Sequence, residues 1–164
     1  MKDGPWKALA ASVLVVSLLA LAFLWFTGPF RPDENARKRG ERTLFLGQVD
    51  EIEHGRSTEL WFYETQGVDA YLDQAATLRA LKSLDLNRTD ITDAGIQSVS
   101  RMAGLQELNV CGGRITAQGI EQLALCTNLE SLDLAGIPTT VKGIDKLARL
   151  PKLRTLIVDG KRIK

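Results

Sequence analysis

Leucines recur in this chain at a fixed interval of 24 residues, and no other feature limits its fold as strongly. Three columns of leucine or valine run through four successive units. The columns are Leu81, Leu105, Leu129 and Leu153; Leu84, Leu108, Leu132 and Leu156; and Leu86, Val110, Leu134 and Val158. A fixed period of roughly 20 to 50 residues is typical of solenoids, in which each unit buries its apolar face only against its neighbours. We therefore expect a stack of repeats.

The second half of each unit has the spacing of a short helix. In the first full unit Ile96, Val99 and Met102 are three residues apart, which places them on one helical face. Thr92 can cap this helix, and Asp93 suits its first turn. Each unit is therefore predicted to be a strand, a turn and a helix. The fold class is α/β, a short solenoid with its parallel sheet on the concave face.

The segment from Thr89 to Ile96, TDITDAGI, resembles the T-x-I-T-D-A-G-I/L segment of bacterial leucine-rich-repeat proteins with 24-residue units. Later units depart from this pattern, since the Thr-Asp pair becomes Thr116-Ala117 and then Thr140-Val141. Some members of that family resemble this chain in carrying an N-terminal hydrophobic helix followed by a basic stretch. The resemblance covers residues 57–164. It implies a binding scaffold, and scaffolds of this kind have varied partners.

The repeats are assigned to 81–104, 105–128, 129–152 and a partial unit, 153–164. One period before the first of them, Leu60 and Phe62 match Leu84 and Leu86, so residues 57–80 are predicted to be a degenerate capping repeat. The run from Thr43 to Leu46 is predicted to be one further strand, which extends the N-terminal segment to 43–80.

At the other end of the repeats, Leu150, Leu153 and Leu156 are expected to lack a complete covering layer. We expect an exposed end strand that Lys161, Arg162 and Lys164 protect with their charge. The alternative is that a second copy covers these leucines, which would make the protein a homodimer.

The segment from Ala8 to Phe26 contains nineteen residues without a charge. A helix of this length is about 28 Å long, close to the ~30 Å of a bilayer's hydrocarbon core. Residues 8–26 are therefore predicted to be a single transmembrane helix, between a short tail (1–7) and a basic linker (27–42). A cleaved signal peptide is the alternative, because Ala20 and Ala22 have the spacing of a cleavage site.

Basic residues flank this segment unequally. Lys2 and Lys7 precede it, and five basic residues follow it: Arg31, Arg37, Lys38, Arg39 and Arg42. This excess places the repeats on the cytoplasmic side of the membrane, with the extracytoplasmic side as the alternative. The same five residues are candidates for contact with lipid headgroups.

Side chains between the repeated leucines should point away from the core and form a polar concave face. Eight residues on this face are candidate binding residues: Glu59, Trp61, Tyr63, Asp85, Asn87, Glu107, Asn109 and Asp133. Trp61 and Tyr63 are of the types enriched at binding hot spots. The alternative is that the polar residues only solvate an exposed sheet.

Composition offers little support for catalysis or for a cofactor. The net charge of +1 gives no reason to expect nucleic acid as a partner. His54 has no companion at metal-ligand spacing, and Cys111 and Cys126 are interpreted as free thiols. The sequence thus predicts a membrane-tethered protein–protein interaction module without catalytic activity, cofactor or metal. The alternative is a structural envelope protein that self-associates through an open C-terminal repeat.

Overall fold

The computed structural model describes residues 34–159 and 161–163, in which helices alternate with short strands. The helices are α1 (Glu34–Glu53), α2 (Asp69–Ala75), α3 (Asp93–Val99), α4 (Ala117–Leu123) and α5 (Val141–Ala148). The strands are β1 (Glu59–Trp61), β2 (Ser83–Asp85), β3 (Glu107–Asn109), β4 (Ser131–Leu134), β5 (Thr155–Val158) and β6 (Lys161–Arg162). Contacts divide the chain into Met1–Arg42 and Thr43–Lys164, and all the strands belong to the second unit.

The six strands form one sheet in chain order, and the first five are parallel. Neighbouring strands pair residues that are 24 positions apart, as Leu60 pairs with Leu84 and Leu84 with Leu108. These leucines are buried, and the isoleucines and valines of the helices complete the same core. The predicted α/β class, the parallel sheet and the alternation of strands and helices are confirmed.

Hydrogen bonds between successive units explain the Thr-Asp-x-Gly pattern. The carboxylate of Asp69 accepts bonds from the backbone N–H of Thr92 (3.1 Å) and from its hydroxyl (2.6 Å). One unit later, Asp93 accepts the same two bonds from Thr116 at 2.9 and 2.5 Å. Each threonine oxygen also accepts a bond from the first turn of its own helix, so it caps the helix and joins two repeats. We call this arrangement the Asp–Thr ladder.

The N-terminal end of the sheet is closed by a helix, which corrects the strand predicted at Thr43–Leu46. Residues 43–46 lie in α1, as do residues 34–42 of the predicted basic linker. Phe45, Val49 and Ile52 are spaced by four and three residues, and all three are buried. The four residues 43–46 taken alone are equally compatible with a strand. The spacing of the three buried residues Phe45, Val49 and Ile52, which extends beyond those four, favours the helix.

The side chain of Gln48 in α1 occupies the open edge of β1. Its amide N–H donates to the Trp61 carbonyl (3.1 Å), and its carbonyl accepts from the Trp61 backbone N–H (2.9 Å). Beneath this edge the rings of Phe45, Phe62 and Tyr71 pack together, with centroids 5.0–5.7 Å apart. The first repeat is thus protected from edge-to-edge pairing on this side.

The C-terminal end also differs from the prediction. Leu150, Leu153 and Leu156 are 5%, 2% and 0% exposed, so the expectation that they lack a covering layer is wrong. The last parallel strand is not an edge, because β6 pairs with it in the antiparallel sense. In the sequence, Asp-Gly at positions 159 and 160 is a residue pair that favours a two-residue hairpin, and the repeat pattern obscured this signal.

Candidate functional site

The candidate binding residues all lie on the solvent side of the sheet or just beyond its strands. Glu59, Trp61, Tyr63, Asp85 and Glu107 are exposed, whereas Asn87, Asn109 and Asp133 are half-buried. They occupy this face because alternate residues of each strand point into the core, as the burial of Leu60, Leu84 and Leu108 shows. The parallel register aligns them in columns that cross the sheet.

Three of the candidate residues, one on each of β2, β3 and β4, also have a local structural role. The side-chain oxygens of Asp85, Asn109 and Asp133 each accept the backbone N–H two residues later, at 2.9, 3.0 and 2.8 Å. Such a bond fixes the turn that ends each strand. These bonds explain why Asp or Asn recurs in the column without any ligand, so these residues are weaker evidence for binding than their exposure suggests.

The aromatic pair at the N-terminal end has no such explanation. The side chains of Trp61 and Tyr63 are 52% and 54% exposed. The Arg88 guanidinium donates to the Tyr63 hydroxyl (3.1 Å) and to the Glu64 carboxylate (3.3 Å). The bond to Tyr63 is the main reason that the pKa of Arg88 is raised above its usual value. Tyr63, Glu64 and Arg88 are thus joined by hydrogen bonds, and Trp61 precedes Tyr63 by two residues; we call these four side chains the aromatic cluster.

Sequence reasoning missed Glu64 and Arg88, although the repeat period contains the signal. They occupy the position that is Gly112 and Gly136 in the next two units, and all four have a left-handed backbone with φ between 51° and 75°. Glycine adopts this conformation without strain, whereas a side chain at φ > 0 is unfavourable. The first two units therefore carry long charged side chains where glycine would be more stable.

The middle of the face is acidic, but its carboxylates do not form a metal site. Glu107 accepts a hydrogen bond from the Ser83 hydroxyl at 3.3 Å, which links two neighbouring strands. Within residues 34–159 and 161–163, no group of three His, Cys, Asp or Glu side chains is arranged to hold a metal ion.

The two cysteines have different surroundings. Cys111 follows β3 and is half-buried, and Cys126 is buried beneath the helices. Burial raises the pKa of the Cys126 thiol to about 11, so this group stays protonated at neutral pH. Both thiols are free, in agreement with the interpretation of the sequence.

The structure covers only part of the predicted membrane region. Residues 8–26 and Arg31 lie outside the described residues. Arg37 pairs with Glu41 at 2.8 Å one turn along α1, and Lys38, Arg39 and Arg42 are exposed on the same helix. Among the described residues, no helix has the length and apolar character needed to cross a membrane.

A family model described as Leucine Rich repeat matches residues 77–100, which include β2 and α3. This unit pairs in register with the units before and after it. The match supports a leucine-rich repeat at residues 77–100, and the neighbouring units share its 24-residue period. No curated protein matches the chain. Leucine-rich repeats generally serve as surfaces for protein partners, so the fold indicates a protein–protein interaction module.

Proposed function

We propose that this protein is a membrane-tethered interaction module whose leucine-rich repeats bind a protein partner at the aromatic cluster. The observation that carries the proposal is the exposure of Trp61 and Tyr63, each more than half accessible on a sheet face that is otherwise polar. Large aromatic side chains dominate the binding energy of protein interfaces and are seldom left exposed together. The role is one of binding, with no catalytic step, cofactor or metal.

Arg88 and Glu64 support the same site. Their left-handed backbone costs about 1 kcal/mol or more at each position, and strain of this kind is concentrated where function requires it. Arg88 is oriented by Tyr63 and Glu64, which reduces the entropy lost when its guanidinium binds a partner. The cluster therefore has anchors that are held in place before binding.

Membrane attachment is proposed from the sequence alone. The uncharged residues 8–26 have the length of a transmembrane helix, and Arg31 with the basic residues of α1 supplies the cytoplasmic excess of positive charge. These basic residues would lie beside lipid headgroups, where each contributes about 1 kcal/mol of attraction to anionic lipid. The repeats would then act at the cytoplasmic surface of the membrane.

The alternative of self-association through exposed C-terminal leucines is not favoured. Leu153 and Leu156 are buried within the chain, so they cannot form an apolar contact with a second copy without local unfolding. The charged hairpin strand β6 also separates β5 from a new strand on that side.

The test of the binding site is photocrosslinking of the full chain in cells. A photoreactive amino acid replaces Tyr63 in one variant and Leu125 in the matched control, since Leu125 is 68% exposed but lies after α4 and away from the sheet. We expect a crosslinked protein band from position 63 that Trp61→Ala removes. Equal bands from both positions, or a band that survives Trp61→Ala, would contradict the site.

The membrane proposal needs a separate measurement. We expect the full chain to remain in the membrane pellet after alkaline carbonate extraction and to become soluble when residues 8–26 are deleted. Protease treatment of intact and opened cells then reports the side, because the repeats contain many Lys and Arg residues. Release of the intact chain by carbonate would refute the anchor, and digestion in intact cells would refute the cytoplasmic side.

A further inference from the structure

Charge is strongly segregated along the stack of repeats. Residues 43–80 contain seven carboxylates and two basic side chains, whereas residues 141–163 contain two carboxylates and seven basic side chains. The sheet follows chain order from β1 to β6, so these two regions lie at opposite ends of it. The stack thus has an acidic first end and a basic last end, although the whole chain has a net charge of only +1.

Exposed apolar side chains are concentrated in the same two regions. Seven large hydrophobic residues are exposed in the part of the chain that the structure describes: Leu44, Leu46, Trp61, Tyr63, Leu125, Val141 and Ile163. Only Leu125 lies between the two ends. Leu44 and Leu46 are 60% and 45% exposed on α1, and Ile163 is 55% exposed just after β6. Each end therefore combines apolar surface with an excess of charge of one sign.

From this complementarity we infer that two copies of the chain associate head to tail, with the acidic first end of one against the basic last end of the other. The contact would bring Glu53 and Glu59 of one copy near Arg154 and Lys161 of the next, and all four side chains are exposed. Because the two contacting surfaces differ, the association is heterologous and can add further copies. This contact lies beside the aromatic cluster, so a crosslink from position 63 to a second copy would report this association, and a crosslink to another protein would report the proposed partner.

Within the second unit, the acidic excess begins in the last turns of α1, at Asp50, Glu51 and Glu53. Acidic residues such as Glu59 and Glu64 lie further along the chain on the first repeat.

The sheet itself is not continued from one copy to the next. Gln48 already occupies the backbone groups of Trp61 at the edge of β1, so side chains rather than strands would form the contact. Contacts of this kind are weak and depend on salt, because exposed ion pairs contribute at most about 1 kcal/mol each. The association is therefore expected only at high protein concentration or low ionic strength.

The experiment is sedimentation velocity of the full chain in detergent micelles, at several protein concentrations and at low and high salt. We expect concentration-dependent oligomers at low salt that dissociate at about 1 M salt, where the screening length falls to about 3 Å. The acidic-end variant is Glu53→Lys with Glu59→Lys, and the basic-end variant is Arg154→Glu with Lys161→Glu. Each alone places like charges at residues 53, 59, 154 and 161 of the contact and should associate about tenfold more weakly.

An equimolar mixture of the two variants restores opposite charges at both kinds of contact, so its association should return to the wild-type level. The matched control for the acidic-end variant, Glu107→Lys with Glu130→Lys, makes the same change of net charge in the middle repeats and should alter association less than twofold. A chain that stays monomeric in its micelle at low salt would overturn the inference. So would oligomers that neither end variant weakens, since residues 8–26 or another surface would then hold them together.

Discussion

Two junctions between repeats show what the Thr-Asp-x-Gly pattern does. Between α3 and α4, Asp93 accepts two hydrogen bonds from Thr116, and this part of the Asp–Thr ladder ties the repeats together. Between α4 and α5, Ala117 stands where the aspartate would be. Thr140 there only caps its own helix, through a bond from the Gly143 N–H at 3.1 Å.

The junction between α4 and α5, which lacks the Asp–Thr ladder, has ion pairs instead. The Glu121 carboxylate accepts bonds from Lys146 (2.6 Å) and Lys142 (3.0 Å), and these bonds lower its pKa. All three side chains are substantially accessible, so the pairs contribute little. The comparison indicates that the threonine caps its own helix at both junctions. The aspartate, and the glycine that leaves space for it, are needed only for the hydrogen bonds between repeats.

The largest effect is expected from the glycine that makes room for the ladder. A Cβ at Gly119 would lie 2.2 Å from an Asp93 oxygen that is fixed by two hydrogen bonds, and 2.7 Å from Ile115. We expect Gly119→Ala to lower the free energy of unfolding by about 2 kcal/mol, because the clash outweighs the gain of about 1 kcal/mol in helix propensity.

The control for this prediction is Gly143→Ala at the junction without the ladder. Its Cβ would meet Ile120 at 3.0 Å and Thr140 at 3.3 Å, so a small shift of flexible side chains would accommodate it. The change in stability should be within about 0.5 kcal/mol of zero, because the propensity gain offsets the tight contact. Urea unfolding of both variants measures the difference, and equal losses would break the comparison.

A smaller effect is expected when the ladder is cut at its acceptor. Asp93→Ala removes both bonds to Thr116 and should lower the free energy of unfolding by about 1–2 kcal/mol. Asp145→Ala, at an exposed aspartate of α5, is the matched control and should change stability by less than about 0.5 kcal/mol. A similar loss in the two variants, measured by urea unfolding, would show that the ladder contributes nothing specific.

The smallest effect is a gain. Ala117→Asp restores the missing acceptor beside Thr140, and Gly143 already leaves the required position without a side chain. We expect a stabilisation of about 0.5–1 kcal/mol, the usual net value of a hydrogen bond to a partly exposed group. Thr140→Val alone loses the helix cap, so it is the reference for the double variant Ala117→Asp/Thr140→Val, in which the aspartate should give no gain. If the gain persists with valine, the added charge at the helix N-terminus rather than the ladder is responsible.

The period of the leucines determined most of the fold. A repeat of 24 residues fixes which leucines lie side by side, and burial of one face then leaves a single register for the parallel strands. The same alternation was sufficient to predict which side chains face solvent. The assignment of residues 8–26 to a transmembrane helix, with the side of the membrane, stays a prediction.

The ends and the functions of individual polar residues were decided only by the tertiary structure. Thr43–Leu46 is compatible with a strand or a helix, and the packing of Phe45 on Phe62 and Tyr71 selects the helix. Asp85 and Asp93 both lie at positions that recur in the repeat. The Asp85 carboxylate accepts a bond in the turn after its own strand, whereas the Asp93 carboxylate binds Thr116 of the next repeat. A repeat period places residues at equivalent positions, but hydrogen-bond partners from other units determine what each residue does there.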